Sequence, residues 1–162
     1  MDWGAVDAVA GGLAALFVAL SVVYLAIQVK SGTRATRSQT YYLATTALAD
    51  QAATIGSNRE VSRIVRIGYE TPEALDEDER VQFGYIVISF LRRYENIFFQ
   101  YESGLIDEDF WSGHRENLLW VYRRPGVQHV WEDRKHSFSG SFREYLDRSA
   151  QIELTTPSGR SL

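Results

Sequence analysis

The sequence predicts an all-α protein: an N-terminal transmembrane helix followed by a compact helical domain of about five to six helices. Three observations carry that reading. Residues 8–27 hold no charged side chain, and at about 1.5 Å rise per residue roughly 20 apolar residues span the hydrocarbon core of a bilayer, where a helix satisfies its own backbone. Downstream, apolar residues recur at helical spacing, bounded by Asn, Asp, Gly and Pro where helices start and stop. Alternating β-branched runs, the mark of a half-buried strand, are missing throughout.

The uncharged run belongs to a first segment, 1–30, that reads as a retained anchor. A secretory signal carries a positive n-region and a small-residue cleavage site. Here Asp2 and Asp7 precede the run without any Lys or Arg, and Gln28-Val29-Lys30 follows it. Lys30, Arg34 and Arg37 lie just beyond, so the positive-inside rule places the following domain in the cytoplasm and the N-terminal flank outside. Gly11, Ala15 and Ala19 recur every fourth position along one face, with Gly4, Ala8 and Gly12 beside them. Close helix packing in lipid needs such small residues, so the anchor is expected to form a homo-oligomer along Gly11, Ala15 and Ala19, with Ser21 and Gln28 adding hydrogen bonds between helices.

A juxtamembrane helix is expected within 31–57, either broken at Ser31-Gly32-Thr33 or continuous with the anchor, its inner row formed by Tyr41, Leu48, Ala52 and Ile55. The soluble domain is expected over 58–150. Asn58 is a suitable N-cap for a short helix with Val61, Ile64 and Val65 inward, ending at Gly68. The acid-rich stretch 70–79 reads as helix initiation: Asp76-x-x-Glu79 has capping-box spacing, and acids in a first turn suit the helix dipole.

The helix so launched, from 77 to about 103, is the expected centre of the domain, with Phe83, Val87, Phe90, Leu91, Tyr94, Ile97, Phe98 and Tyr101 making a wide apolar face. Gly104 is placed to stop it. Asp107 caps a helix to about 122, with Phe110, Trp111, Leu118, Leu119 and Val121 as core candidates. Pro125 suits the first position of a helix carrying Val127, Val130 and Trp131 inward. A last helix begins near 139–141 with Phe142, Tyr145 and Leu146 inward, and 151–162 reads as a flexible tail.

These residues resemble a group of uncharacterised bacterial single-span membrane proteins. The likeness rests on Tyr-Leu-Ala-x-Gln-Val at 24–29, Thr33-Arg34, Tyr94-Glu95-Asn96, Gly-Leu-Ile-Asp-Glu at 104–108, Trp111, Pro125-Gly126 and Trp131. It implies a bacterial inner-membrane location and an all-helical soluble domain, and it brings no function with it.

Composition excludes several classes. With 17 basic and 21 acidic residues the net charge is -4, which is not the basic footprint of a nucleic-acid binder. No Cys is present, so there is neither a disulfide framework nor thiolate chemistry. Nucleophile-elbow, Walker and dinucleotide glycine patterns are missing, and no cofactor is implied. Glu132 and Asp133 stand near His136, but a helical di-metal site would want Glu-x-x-His, which does not occur.

The best polar constellation is Arg92, Glu95 and Asn96, with Arg93 and Gln100, on an otherwise apolar helix, and His114 is the nearest imidazole candidate. Arg92 and Glu95 stand three apart and can pair. A buried Glu95 would have a raised pKa and could act as acid or base. Two function classes follow. The first is a membrane-anchored interaction or scaffold module that self-associates, using exposed aromatic residues of the soluble domain. The second is a small membrane-associated helical enzyme or ligand sensor with a site around Glu95. A cavity lined by Glu95 favours the second; Glu95 capped by an intramolecular Arg with no cavity favours the first.

Overall fold

The computed structural model describes the backbone of residues 3–154 and the side chains of 17–33 and 35–149. The described residues form six α-helices, α1 (Trp3–Ser57), α2 (Arg59–Glu70), α3 (Glu77–Glu102), α4 (Glu108–Tyr122), α5 (Pro125–Arg134) and α6 (Gly140–Leu154), with short 3-10 turns at Pro72–Ala74 and Lys135–Ser137. No strand occurs among the described residues. The all-α expectation therefore holds. Two units divide the chain, Met1–Gln39 and Thr40–Leu162.

The first unit holds the N-terminal part of α1. Residues 31–33 are helical, so of the two alternatives at Ser31-Gly32-Thr33 the unbroken one is realised. Among the described residues no helix is long and apolar enough to cross a membrane. The side chains of 8–16, and with them Gly11 and Ala15 of the expected oligomer stripe, lie outside the described residues. What remains of the uncharged run, 17–27, is about 16 Å long against a hydrocarbon core of about 30 Å.

The second unit is organised around α3. Its helix starts as the sequence requires: the Glu79 N–H donates to Asp76 Oδ1 at 2.9 Å and the Asp76 N–H to Glu79 Oε2 at 3.0 Å, a complete capping box. It stops at Gly104, which holds φ +70, the left-handed conformation a side chain disfavours. Between these ends Phe83, Val87, Leu91, Tyr94, Ile97 and Phe98 are buried, and α2, α4, α5 and α6 all pack on the helix. Local signals fix the other starts too. Asn58 accepts from the Glu60 and Val61 N–H groups, Asp107 accepts from Phe110, and Pro125 opens α5.

Trp111 and Trp131 fill the space beyond α3 together with Phe98, Phe138 and Phe142. Residues 40–57 of α1 add Ala44 and Gln51 as buried groups, with Tyr41 and Leu48 packed against the core. Tyr41 sets its ring edge-on to Phe110 at 4.5 Å between centroids.

Two sequence expectations are corrected. Gly68 does not end a helix; it is buried inside α2, which runs on to Glu70. Its role is close approach. A Cβ there would collide with the Phe83 ring, and a Cβ on Gly126 would overlap the Gly68 carbonyl, so α2 and α5 meet backbone to backbone. Residues 151–154, expected as part of the tail, instead continue α6 to Leu154, and 155–162 lie outside the described residues.

Replacing Gly126 by Ala should therefore destabilise the fold by about 1–3 kcal/mol through overpacking, although Ala is the better helix former. Gly113, inside α4 with open space where its Cβ would go, should give the opposite sign, about 0.5–1 kcal/mol of stabilisation on becoming Ala. Leu91→Ala should cost about 2–5 kcal/mol. Urea unfolding of the full chain, read by the fluorescence of the buried Trp111 and Trp131, measures all three.

Candidate functional site

Arg92 and Glu95 point toward the turn that leads into α6. Arg92 Nη1 donates to Glu95 Oε2 at 2.7 Å, and Arg92 Nη2 donates to the Ser137 carbonyl at 2.6 Å. The guanidinium also lies over the Phe138 ring at 4.2 Å from its centroid. Glu95 Oε1 accepts from the Ser139 N–H at 2.6 Å. Ser139 immediately precedes α6, and its carbonyl accepts the Arg143 N–H at 3.0 Å, the first helical bond. One carboxylate thus satisfies an orphan donor at a helix start, where negative charge is favoured. The pair fastens the turn at 135–139 onto α3.

That arrangement sets the ionisation of Glu95. Its side chain is 16% exposed against 44% for Arg92. Partial burial pushes the carboxyl upward, but the Ser139 N–H and the Arg92 guanidinium outweigh it, and Glu95 lies below its ordinary value of 4.5. The raised pKa of a general acid, the condition the sequence attached to a buried Glu95, is not met.

The remaining candidates sit apart from this pair. Asn96 accepts from the Gln100 carboxamide, one turn along α3. His114 belongs to α4, where Nδ1 is 2.8 Å from the Phe110 carbonyl and the ring stacks on Phe110 at 4.1 Å. Ala19 lies on α1 in the first unit, while Gly11 and Ala15 fall outside the described side chains. Glu132 pairs with Lys135 and Asp133 with Arg134, and among the described residues no group of three or more His, Asp or Glu is arranged to hold a metal ion.

Two large hollows lie in the second unit, and Arg92 and Asn96 line one of them. One of about 740 Å³, between α3 and α5, is lined by Val81, Tyr85, His129 and Val130 among others. Another of about 680 Å³, between residues 40–57 of α1 and α3, is lined by Arg92, Arg93, Asn96 and Gln100 over an apolar floor. Neither includes Glu95 or His114. The sequence singled out Arg92, Arg93, Asn96 and Gln100 as a polar group. Their neighbours Leu43 and Ala47 carry no such signal, because small and apolar residues of a helix announce only packing.

Searches of known proteins find no family model, no curated protein and no solved structure that matches this chain. The reading of the site rests on its geometry.

Two results test the role of Glu95. Glu95→Gln keeps an acceptor for the Ser139 N–H, so it should cost less stability than Glu95→Ala, which strands that donor and Arg92; we expect about 1–2 kcal/mol for the Ala variant in urea unfolding at neutral pH. Because the folded-state pKa is depressed, the Glu95 contribution is present above the unfolded value and lost as pH falls through the folded one. Stability of the wild type should fall more steeply below about pH 4.5 than that of Glu95→Gln. Parallel acid limbs would place Glu95 on free surface.

Proposed function

We propose that this protein is a single-pass anchored helical module of the bacterial inner membrane. Its soluble unit faces the cytoplasm and its role is interaction or scaffolding rather than catalysis. The observation that carries the reading is the state of residues 17–29. Nine large apolar side chains there, from Phe17 at 68% to Val29 at 68%, are each more than half exposed. At 100° per residue they cover about 260° of the helix circumference, leaving only the arc of Ala19 and Ala26 without a large side chain.

Left in water, that surface would cost on the order of 10 kcal/mol, taking roughly 1.5–3 kcal/mol per large apolar side chain and discounting for partial exposure. That is as large as the net stability of a typical domain. A groove on a protein partner covers one face; lipid covers all of them. The polar side chains of the same stretch support lipid as the solvent. Ser21 donates to the Phe17 carbonyl at 2.8 Å, Thr33 to the Val29 carbonyl at 2.9 Å, and Gln28 to the Tyr24 hydroxyl at 3.0 Å. Donors that find partners inside their own helix carry little penalty in hydrocarbon. Lys30 then begins the basic flank that sets orientation.

Self-association belongs to the same proposal. Gly11, Ala15 and Ala19 offer the small-residue face that close packing in lipid requires. In the soluble unit, Tyr42, Tyr85, Phe99 and Trp120 stand exposed as interface candidates. The enzyme alternative loses its centre, since Glu95 is held by Arg92 and Ser139 and lines neither large hollow.

Residues 5–29 in a transmembrane self-association reporter should give a signal well above a monomeric control. Gly11→Ile and Ala15→Ile should reduce it sharply, and Val18→Ile should not. A wild-type signal at the monomer level ends the oligomer part of the proposal. The anchor part is tested separately: the full chain should stay with the membrane pellet after alkaline carbonate extraction.

A further inference from the structure

We infer that the furrow between residues 40–57 of α1 and α3 is a binding site for a small amphipathic carboxylate, read by Arg93. It goes beyond the anchor reading and does not depend on it, because every residue involved lies in the Thr40–Leu162 unit.

The argument begins with Arg93. Its Nη1 donates to the Ala47 carbonyl, which ties α3 to α1. Its Nε is buried and has no partner. No carboxylate among the described residues pairs with it, whereas Arg63, Arg92, Arg115, Arg124 and Arg134 each have one. A half-buried guanidinium without an anion is costly, and an anion supplied from solution would remove that cost.

The surroundings fit that anion and give it a shape. Two hollows, of about 680 Å³ and about 350 Å³, lie against α3 and share Arg93 and Ser89 in their lining. Not one Asp or Glu lines either of them. Apart from Arg92 in the larger hollow, the polar groups near Arg93 are neutral, among them Asn96 and Gln100 in the larger hollow and Gln51 in the smaller. The larger hollow has a floor of Leu43, Ala44, Ala47 and Ile97, small or aliphatic side chains that make no demand for polar partners. Its volume is within the roughly 300–1,000 Å³ usual for ligand sites, which are mostly apolar with a few placed polar groups.

A ligand with one anionic head and a short aliphatic body matches this layout. With Nη1 on the Ala47 carbonyl and Nε buried, Nη2 is the nitrogen left to donate to a carboxylate oxygen, whereas a phosphate would call for more than one uncommitted cation. Arg92 does not supply the second, being engaged by Glu95 and the Ser137 carbonyl.

The test uses the full chain in phosphatidylcholine nanodiscs and octanoate as the probe, with empty nanodiscs as background in equilibrium dialysis. Saturable uptake of one octanoate per chain is expected, with none for octanol or octyltrimethylammonium. Arg93→Gln should weaken uptake at least tenfold. Ala47→Leu should do the same by filling the floor, while its backbone carbonyl still receives the Arg93 bond. Unfolding read by Trp111 and Trp131 checks that each variant is folded; should Arg93→Gln not fold, Ala47→Leu decides alone. No uptake above background, equal uptake in a folded variant, or equal uptake of the cationic probe overturns the site. Loss of octanoate binding when phosphatidylglycerol replaces part of the phosphatidylcholine overturns the free-carboxylate assignment in favour of a lipid headgroup. Failure in any arm leaves the anchor proposal where carbonate extraction puts it.

Discussion

The Thr40–Leu162 unit depends on one constraint: α3 is apolar over too much of its circumference to lie against a single neighbour. Six of its side chains are buried, and they reach that state only when α2, α4, α5 and α6 close around them. Each large apolar group so covered is worth roughly 1.5–3 kcal/mol, so the enclosure of α3 is a dominant stabilising term of the domain. The other features serve that enclosure. Gly68 and Gly126 let two of the covering helices touch at the backbone beside Phe83. Arg92 and Glu95 hold the turn before α6, so that Phe138 and Phe142 are delivered to the core around Trp131.

This view changes what the polar residues of α3 mean. Charged groups on a buried helix suggest a reaction centre, yet Glu95 spends both oxygens on structure. A carboxylate held ionised by a backbone N–H and a guanidinium is a poor proton donor near neutral pH. Arg93 is the opposite case. It bridges two helices through one bond, and no acid lines the hollows beside it. The division between the two neighbours follows from helix geometry: three residues separate Arg92 from Glu95, which puts them on one side, while Arg93 is turned 100° from Arg92 toward α1.

Much of this was legible in the sequence wherever the determinant is local. The capping box at Asp76 and Glu79, the caps Asn58 and Asp107, the stop at Gly104 and Pro125 at a helix start all depend on residues within four positions of one another. Gly68 was misread because a glycine that ends a helix and a glycine that admits a neighbour look alike until the neighbour is known. Ser139 as the partner of Glu95 lies 44 positions away, and no spacing rule reaches that far. The furrow is half visible in the sequence: its polar wall is one helix face, but most of its floor, Leu43, Ala44 and Ala47, belongs to α1 and exists only once the two helices pack. His114 was grouped with Glu95 by residue type alone, and it is instead committed to Phe110 on its own helix.

We propose that residues 17–29 are solvated by lipid and the helical unit beyond them by cytoplasmic water. The absence of cysteine makes a direct test simple, because any introduced thiol is the only one. Leu25→Cys and Tyr85→Cys replace side chains that are 57% and 68% exposed, so exposure to solvent alone would label both with a membrane-impermeant maleimide. The account predicts that, in intact cells, neither reacts. In inverted membrane vesicles Tyr85→Cys should react quickly, and Leu25→Cys should stay unlabelled until detergent is added. Equal labelling of the two in inverted vesicles, or labelling of Tyr85→Cys from outside intact cells, would contradict it.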